Sequence, residues 1–207
     1  ISILPNGLDS KPFKLVLEGD FESPFNQPYI LFLGRLDKAK GLDNLLNAFA
    51  NIAGQLSFNL VIAGPDEGNY ELIVSESKRL YVLQRQGRIK LLGPVTGTHK
   101  LLLIRYAKGF FLPSIGEGFS MAILESFFLG CPVFATRECN ISEAFENDAA
   151  IVITRDISNI EKSLLYLQDN QKIVMAIGSR GKEFARKFEI KNITLQYISL
   201  VESFICE

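Results

Sequence analysis

The sequence has too little cysteine and histidine for a disulfide framework or a zinc site. It contains three cysteines, Cys131, Cys139 and Cys206, and a single histidine, His99. The cysteines show neither Cys-x-x-Cys spacing nor a nearby cluster of histidines, and zinc sites have such patterns. We therefore expect no metal site and reduced thiols, as in a reducing compartment. We interpret His99 as an ordinary surface residue.

An excess of charge of one sign is also missing. The chain has 22 Lys+Arg against 23 Asp+Glu, which gives a formal net charge of -1 at pH 7. Proteins that bind nucleic acid or acidic membrane surfaces usually carry a basic excess. We therefore expect no nucleic-acid partner.

Long apolar runs are absent. Stretches such as Gly109 to Leu112 are far too short to cross a bilayer, and the segment Ile1 to Pro5 has no basic region of the kind that opens a signal peptide. We expect no membrane segment in this chain. It begins with isoleucine instead of methionine, which suggests a fragment of a longer protein.

The common glycine motifs of nucleotide-binding enzymes do not occur. Neither Gly-x-Gly-x-x-Gly nor Gly-x-x-x-x-Gly-Lys-Ser/Thr follows any predicted strand, so NAD chemistry and ATP hydrolysis lose their usual sequence support. An Asp-x-Asp sequence, which would indicate a metal-bound diphosphate, is missing as well.

What the chain does contain is an alternation of short apolar segments with longer helical ones. Its 207 residues, 47% of them hydrophobic, are enough for one domain with a sizeable core. The predicted strands are nearly all apolar, as parallel strands covered on both faces must be: Tyr29–Leu33, Asn59–Ala63, Ile89–Leu92, Gly109–Leu112, Val133–Thr136 and Ala150–Ile153. The predicted helices between and after them are Leu42–Ile52, Tyr70–Gln86, Thr98–Ala107, Phe119–Leu129, Ile141–Asn147 and Ser158–Leu167. This order predicts an α/β fold with a Rossmann-like, doubly wound parallel sheet of about six strands.

The two ends of the chain differ from this pattern. Residues 1–28 contain Pro5, Pro12, Pro24 and Pro28, which predict turns and extended chain, so we place a linker at 1–28 and the domain at 29–207. After the last strand we predict only helices, over 171–188 and 190–204. The second has an amphipathic pattern, and its apolar face should pack against this sheet layer or against a missing partner domain.

The loop after the first predicted strand has the composition of an anion site. In such sheets ligands bind beyond the carboxyl ends of the strands. There the segment Gly34 to Gly41 has two glycines that let the backbone turn, and Arg35 and Lys40 that would suit a diphosphate. A solvated basic loop is the alternative. We interpret Gly64 to Gly68, after the second strand, as a structural turn.

The segment Leu112 to Pro132 is the most informative. Glu117 is predicted at a helix entrance and Glu125 eight residues later, roughly 12 Å along the axis and within about 80° of the same face. The two carboxylates could contact separate parts of one extended ligand, and the amides of residues 118–120 could receive its anionic centre. Glu125 lies in an otherwise apolar helix, where a charge needs a ligand or a fixed partner. The alternative is a capping Glu117 and an exposed Glu125 on a core helix.

These residues resemble the C-terminal, nucleotide-sugar-binding half of a retaining glycosyltransferase of the GT-B fold, in the family called glycosyltransferase group 1 or family 4. The Glu117 to Glu125 pair with its Gly-Phe centre resembles the family's E-x7-E motif. The matching segments are, in chain order, Ile3 to Asp9, Phe32 to Leu36 with Lys40-Gly41, Leu60 to Gly64, Leu91 to Val95, Leu112 to Ser114, Glu117 to Glu125 and Gly130 to Val133. Ser120 stands where many members have glycine.

The resemblance implies a role for each site residue. Arg35 and Lys40, in the loop that begins at Gly34, would hold the donor diphosphate; Glu117 would hold the hydroxyls of the transferred sugar and Glu125 those of the ribose. It assigns the backbone of Gly118, Phe119 and Ser120 to the sugar or phosphate. It assigns Val95 to the base. Among all of these, the resemblance implies catalytic roles for Glu117, Arg35 and Lys40.

The resemblance also implies the reaction and what is missing. A UDP- or GDP-sugar would donate its sugar to an alcohol acceptor with retention at the anomeric carbon, without a metal or another cofactor. The family's N-terminal half, which carries the acceptor site, is absent, so this chain should be inactive alone. The implied location is cytoplasmic, with any contact with a membrane made through the missing half. Two alternatives remain open: a non-catalytic nucleotide-sugar-binding module, and another GT-B enzyme such as an epimerase or a phosphorylase.

Overall fold

The chain forms a six-stranded parallel sheet with helices on both faces. The computed structural model describes the backbone of residues 5–205 and the side chains of residues 5–203. Ile3, Leu4 and Cys206, named above, lie outside the described residues. The strands are β1 Tyr29–Leu33, β2 Asn59–Ala63, β3 Ile89–Leu91, β4 Phe110–Leu112, β5 Val133–Ala135 and β6 Ile151–Val152. The helices are α1 Lys11–Glu18, α2 Leu42–Ile52, α3 Asn69–Ser75, α4 Lys78–Arg85, α5 Gly97–Tyr106, α6 Met121–Leu129, α7 Ser142–Glu146, α8 Ile157–Asp169, α9 Gln171–Ala185 and α10 Ile190–Ile205.

The strand order is β3-β2-β1-β4-β5-β6, with every neighbouring pair parallel. The chain therefore builds the sheet outward from β1 in one direction and then returns to continue from β4 in the other. This reversal opens a crevice between β1 and β4 at the carboxyl edge of the sheet, where ligands bind in sheets of this kind. The predicted doubly wound α/β fold is confirmed.

The core lies on both faces of the central strands. All residues of β1, β4 and β5 are buried, and Phe111 and Phe134 stack with their ring centroids 4.3 Å apart. Tyr29 at the start of β1 donates its hydroxyl to the carbonyl of Leu103, 2.8 Å away on α5. Burial raises the pKa of Tyr29, so its phenol stays protonated. The strands that carry the crevice are therefore held rigidly.

Most predicted elements agree with the structure to within one or two residues. The helix predicted over Tyr70–Gln86 is divided at residues 76–77, because Ser77 caps a new helix by accepting a hydrogen bond from the Leu80 N–H. The prediction of a single helix there is wrong. The predicted turn at residues 64–68 is confirmed, and it leads into α3.

The prediction that residues 1–28 contain only turns and extended chain is also wrong. Helix α1 forms there with Pro12 in its first turn, where a missing N–H has no cost. Phe13 and Val16 on this helix are buried in the core, and Phe13 stacks on Phe128 of α6 at 4.9 Å. The boundary at residue 29 stays a prediction.

Helix α10 has an apolar face that is largely uncovered. Ile193 packs partly against the core, and the backbone of Ile190 bonds to the carbonyl of Leu8. The side chains of Leu195, Tyr197 and Ile198, by contrast, are exposed. Within the described residues, the segment around Leu8 and the turn just before the helix therefore cover only its first part. No helix in the described part of the chain has the length and hydropathy to span a bilayer.

Candidate functional site

The candidate site lies at the carboxyl edge of the sheet, where loops leave β1, β4 and β5. These three strands are adjacent in the sheet, so their loops lie side by side across the crevice. The loops bring Lys40 next to Glu117, which lies 77 residues later in the chain and just before α6. The structure therefore joins the basic loop and the acidic segment identified from the sequence.

The loop after β1 is shaped by a short capped turn. Asp37 accepts a hydrogen bond from the Lys40 N–H at 3.0 Å through its side chain. Gly41 then takes a left-handed conformation with φ +70°, and a Cβ there would overlap the carbonyl of Pro113. Only glycine combines this φ with such a close approach. The turn thus fixes Lys40 against the loop that follows β4.

Lys40 and Glu117 form an ion pair in the crevice. The Lys40 Nζ lies 2.7 Å from Glu117 Oε1, and the two side chains are 18% and 11% exposed. Arg35 points differently: its side chain is 69% exposed and lies 3.5 Å from Asp37. Within the described residues, no ion pair joins Arg35 to Glu117. The structure therefore leaves Arg35 at the rim of the crevice and places Lys40 inside it.

Backbone contacts hold Glu117 in place from two sides. The hydroxyl of Ser114 and the N–H of Ile115 both bond to the carbonyl of Ala39, at 3.0 and 2.8 Å. The Glu117 N–H donates to the carbonyl of Glu138 at 2.9 Å, and the side-chain amide of Asn140 donates to the Glu117 carbonyl. The acidic loop is therefore anchored to the loops after both β1 and β5, which restricts where its carboxylate can go.

Helix α6 begins later than the sequence predicts. Its first residue is Met121, and Ser120 is the N-cap, which accepts a hydrogen bond from the Ile123 N–H. Glu117 lies in the preceding loop, so the predicted position at the helix entrance, on one face with Glu125, is wrong. The serine cap and the glycines at 116 and 118 account for the late start, since both favour non-helical backbone.

The turn before α6 presents unused backbone donors. Within residues 5–203, the N–H groups of Gly118, Phe119 and Ser120 donate no hydrogen bond. Gly118 is exposed, while Phe119 and Ser120 are half-buried. Free N–H groups together with the positive end of a helix dipole favour an anion at this place. The negative charge of Glu117, next to these N–H groups, is compensated by Lys40.

Glu125 is buried on α6 and has a fixed partner. Its Oε1 accepts a hydrogen bond from the Lys100 Nζ at 2.6 Å, with the two side chains 10% and 26% exposed. The prediction that this carboxylate needs a ligand or a fixed partner is thus met by a lysine. The alternative of an exposed Glu125 is wrong. Sequence reasoning missed Lys100, because its contact depends on the packing of α5 against α6.

The remaining predicted residues follow β1 and β3 or lie on α5, and they differ in exposure. Val95 is half-buried in the loop after β3 and packs against the core, while His99 on α5 is exposed. Gly34 follows β1, and a Cβ there would meet open space. Cys139 lies beneath the acidic loop; burial, with a smaller effect of the Glu117 carboxylate, raises the pKa of its thiol. No three His, Cys, Asp or Glu side chains in the described part of the chain are grouped as metal ligands would be.

Comparison with known proteins links this chain to one family. The family model described as "Glycosyl transferases group 1" matches residues 17–184. The O-antigen chain mannosyltransferase B of Escherichia coli is 27% identical over 180 residues, which cover 84% of this chain and 45% of that protein. The chain spans about half the length of the first curated relatives it matches, 49% and 45%.

Solved structures show the same fold. A crystal structure of Anabaena HepE in complex with UDP superposes with a TM-score of 0.80 at 18% identity, covering 98% of this chain and 57% of that one. The C-terminal domain of a glycosyl transferase group 1 family protein from Francisella tularensis gives a TM-score of 0.70 at 19% identity. That comparison covers 89% of this chain and 100% of that domain. The architecture is thus that of the C-terminal half of a GT-B protein.

Proposed function

This chain belongs to the group 1 glycosyl transferases, and on that premise we propose that it is the donor-binding half of a retaining glycosyltransferase. Its substrate is a nucleoside-diphosphate sugar, whose sugar passes to an alcohol acceptor. The observation that carries the proposal is the Lys40–Glu117 pair, 2.7 Å apart beside the unbonded N–H groups of residues 118–120. A cation, a carboxylate and backbone donors in one crevice match a diphosphate joined to a polyhydroxylated ring.

Each group has a distinct part in this proposal. The Lys40 ammonium has three N–H donors, of which Glu117 uses one, so the others are available for diphosphate oxygens. The N–H groups of Gly118 to Ser120 bind the same anion, and Arg35 at the rim adds a second cation. Glu117 accepts hydrogen bonds from the hydroxyls of the transferred sugar. Glu125 binds the ribose, and Val95 lies beside the base.

The costly step of the reaction is departure of the nucleoside diphosphate. Negative charge grows on its oxygens as the bond to the anomeric carbon breaks, and donors already in place stabilise it without reorganisation. Lys40 and the N–H groups before α6 supply those donors. Glu117 orients the sugar and is not a nucleophile of the glycosidase type, since its role here is to accept hydrogen bonds. The same loop contacts that anchor Glu117 would keep the sugar aligned as the bond breaks.

The rest of the enzyme lies outside this chain in our proposal. The chain matches about half of its relatives' length, and the exposed apolar face of α10 would be covered by an N-terminal half that carries the acceptor site. Transfer needs both substrates held together. We therefore expect the 207-residue chain to bind a nucleoside diphosphate and to show no transferase activity.

A thermal-shift screen with UDP, GDP, ADP and their sugar conjugates tests the proposal. A ligand at a hundredfold excess over its Kd stabilises the folded chain by about 2.7 kcal/mol. For a domain of this size that corresponds to a rise in Tm of roughly 5–10 °C. The matching nucleosides without phosphates are the control and should shift the Tm far less. If no nucleotide raises the Tm, the donor-binding assignment is wrong.

The two alternative functions need the intact protein. A non-catalytic module would bind the nucleotide sugar without converting it. An epimerase would change the configuration of the sugar without an alcohol acceptor. A phosphorylase would pass a sugar from a glycoside to inorganic phosphate, which gives a sugar 1-phosphate and the free alcohol. Assays for transfer, epimerisation and phosphorolysis therefore separate them, and a transfer product of retained anomeric configuration supports our proposal.

A further inference from the structure

Lys100 is a charged residue in the crevice to which neither the family resemblance nor the proposed function gives a role. It lies in the first turn of α5, directly after the loop that contains Val95. Its Nζ is 2.6 Å from Oε1 of Glu125, which lies in the second turn of α6. The pair therefore connects α5, which follows the segment assigned to the base, with α6, which starts at the anion site.

Burial makes this contact a fixed one. Only 10% of the Glu125 side chain is exposed, and its neighbours Leu124 and Ser126 are buried as well. An ionised carboxylate in such a place is costly unless a counter-charge compensates it. Within the described residues, Lys100 is the only side chain that bonds to the Glu125 carboxylate. The lysine thus compensates the charge of this group and fixes its direction.

The pair leaves a specific set of polar atoms unused. Oε2 of Glu125 makes no hydrogen bond in the described part of the chain. It does not belong to the fully buried polar atoms without a partner. It therefore retains access to solvent. The Lys100 ammonium likewise uses one of its three N–H donors. An acceptor oxygen and cationic donors lie side by side, and each hydroxyl of a vicinal diol can both donate and accept.

We propose that Lys100 is a specificity-determining residue that makes the site select a ribose with both hydroxyls over a 2′-deoxyribose. It holds Glu125 through Oε1, so that Oε2 accepts from one hydroxyl while a free N–H of Lys100 donates to the other. This inference rests on the proposed function, because it needs the ribose to bind at Glu125. The inference adds Lys100 as a second residue that binds the diol. It also explains why Glu125, the first such residue, is oriented as it is.

A purely structural role for Lys100 is the competing explanation. In that case the lysine only compensates the buried charge, and its loss would lower stability and weaken all nucleotides by the same factor. In our proposal its loss changes the ratio of two affinities. The ratio of the Kd values for a ribonucleotide and its 2′-deoxy analogue is therefore the informative measurement, since a uniform loss leaves it unchanged.

The experiment compares wild type with Lys100→Met and Lys100→Arg. Calorimetry gives the Kd of the best-binding nucleoside diphosphate among UDP, GDP and ADP, and of its 2′-deoxy analogue. Wild type should prefer the ribonucleotide by about tenfold or more, as expected for a lost charge-assisted hydrogen bond. Lys100→Met should reduce the preference to less than about threefold, and Lys100→Arg should largely restore it. Thermal melting of each variant shows whether it is folded.

Lys108→Met is the matched control. Lys108 is an exposed lysine two residues beyond the end of α5, just before β4, so the substitution removes the same charge at the opposite edge of the sheet. It should keep the wild-type preference. A Lys100→Met variant that binds and retains the full preference would overturn the role of Lys100 while the proposed function stands. A wild-type chain that binds no nucleoside diphosphate would overturn both.

Discussion

Replacement of Lys40 by methionine should weaken nucleoside diphosphate binding and leave nucleoside binding nearly unchanged. Methionine keeps most of the side-chain volume and removes the charge. In the free protein the Lys40 ammonium lies 2.7 Å from Glu117 Oε1 and is 18% exposed, so its charge acts in a partly desolvated crevice. The lost charge-assisted hydrogen bond to the diphosphate amounts to about 1.5–3 kcal/mol. That corresponds to a rise in Kd of about tenfold to 150-fold.

A second effect acts in the same direction. Without Lys40, Glu117 keeps a negative charge with no partner, and this charge repels the diphosphate. Two unit charges 4 Å apart interact by about 4 kcal/mol at an effective dielectric constant of 20, so the repulsion is not negligible. The double variant Lys40→Met/Glu117→Gln should therefore bind the diphosphate more tightly than Lys40→Met alone. Calorimetry on wild type, both single variants and the double variant measures this coupling.

Lys38→Met provides the control for general charge effects. Lys38 lies in the same short turn, but its side chain is exposed. Its removal should change the diphosphate Kd by less than about threefold, because exposed charges are screened by solvent and salt. Equal losses in the Lys38 and Lys40 variants would show that net charge and not position governs binding. Equal losses of the nucleoside and the diphosphate would show that Lys40 acts through folding or through the base.

Glu125→Gln should weaken binding of the nucleoside diphosphate and of its sugar conjugate alike, whereas Glu117→Gln should weaken binding of the conjugate only. Titration of both variants with both ligands checks this, and the reverse pattern would exchange the two roles. Gly41→Ala should lower the free energy of unfolding, measured in urea, by about 1–3 kcal/mol, since alanine disfavours φ +70° and its Cβ would overlap Pro113. Gly54→Ala is the control, because a Cβ there would meet open space. An equal loss of stability in the control would refute the argument. Tyr70 has a buried hydroxyl with no partner in the described residues, and burial, then the nearby Asp66, raises its pKa to about 12. Because the folded pKa lies above the unfolded value of 10.0, the stability that this group contributes is retained below pH 10 and falls between pH 10 and 12. Tyr70→Phe should remove part of that fall without loss of stability at pH 7. A pH profile of unfolding that is the same in both proteins would contradict this.

The sequence predicts the fold well where the signal is local. β1, β2 and α2 have the predicted bounds, because continuous apolar strands and an amphipathic helix with glycine before it are readable from neighbouring residues. The prediction fails at α1, because four prolines in residues 1–28 favour extended chain. The spacing of Phe13, Val16 and Leu17 after a proline at the start of the helix was the signal that could have revealed it.

The site shows a different limit. The types and chain order of Lys40, Glu117 and Glu125 were visible in the sequence, but which cation faces which carboxylate depends on tertiary packing. Glu125 on an apolar helix indicated that a partner must exist. Lys100 could not be identified as that partner, because it lies 25 residues earlier and reaches Glu125 only through the packing of α5 on α6.

These pairings change how the electrostatics of the site are understood. From the sequence, Arg35 and Lys40 look like two free cations that await an anion. In the structure each lysine of the crevice compensates a carboxylate within 4 Å, Lys40 with Glu117 and Lys100 with Glu125, and Arg35 lies near Asp37. The free site is therefore nearly balanced in charge. In our proposal, attraction for a diphosphate then depends on the unused N–H donors of the lysines and of the turn before α6, which act over short distances and in defined directions. A balanced site of directed donors favours a ligand whose hydroxyls and phosphates are arranged to match them. If our proposed function is right, we expect this site to distinguish a nucleotide sugar from a simple polyanion, which a cluster of free cations would not do.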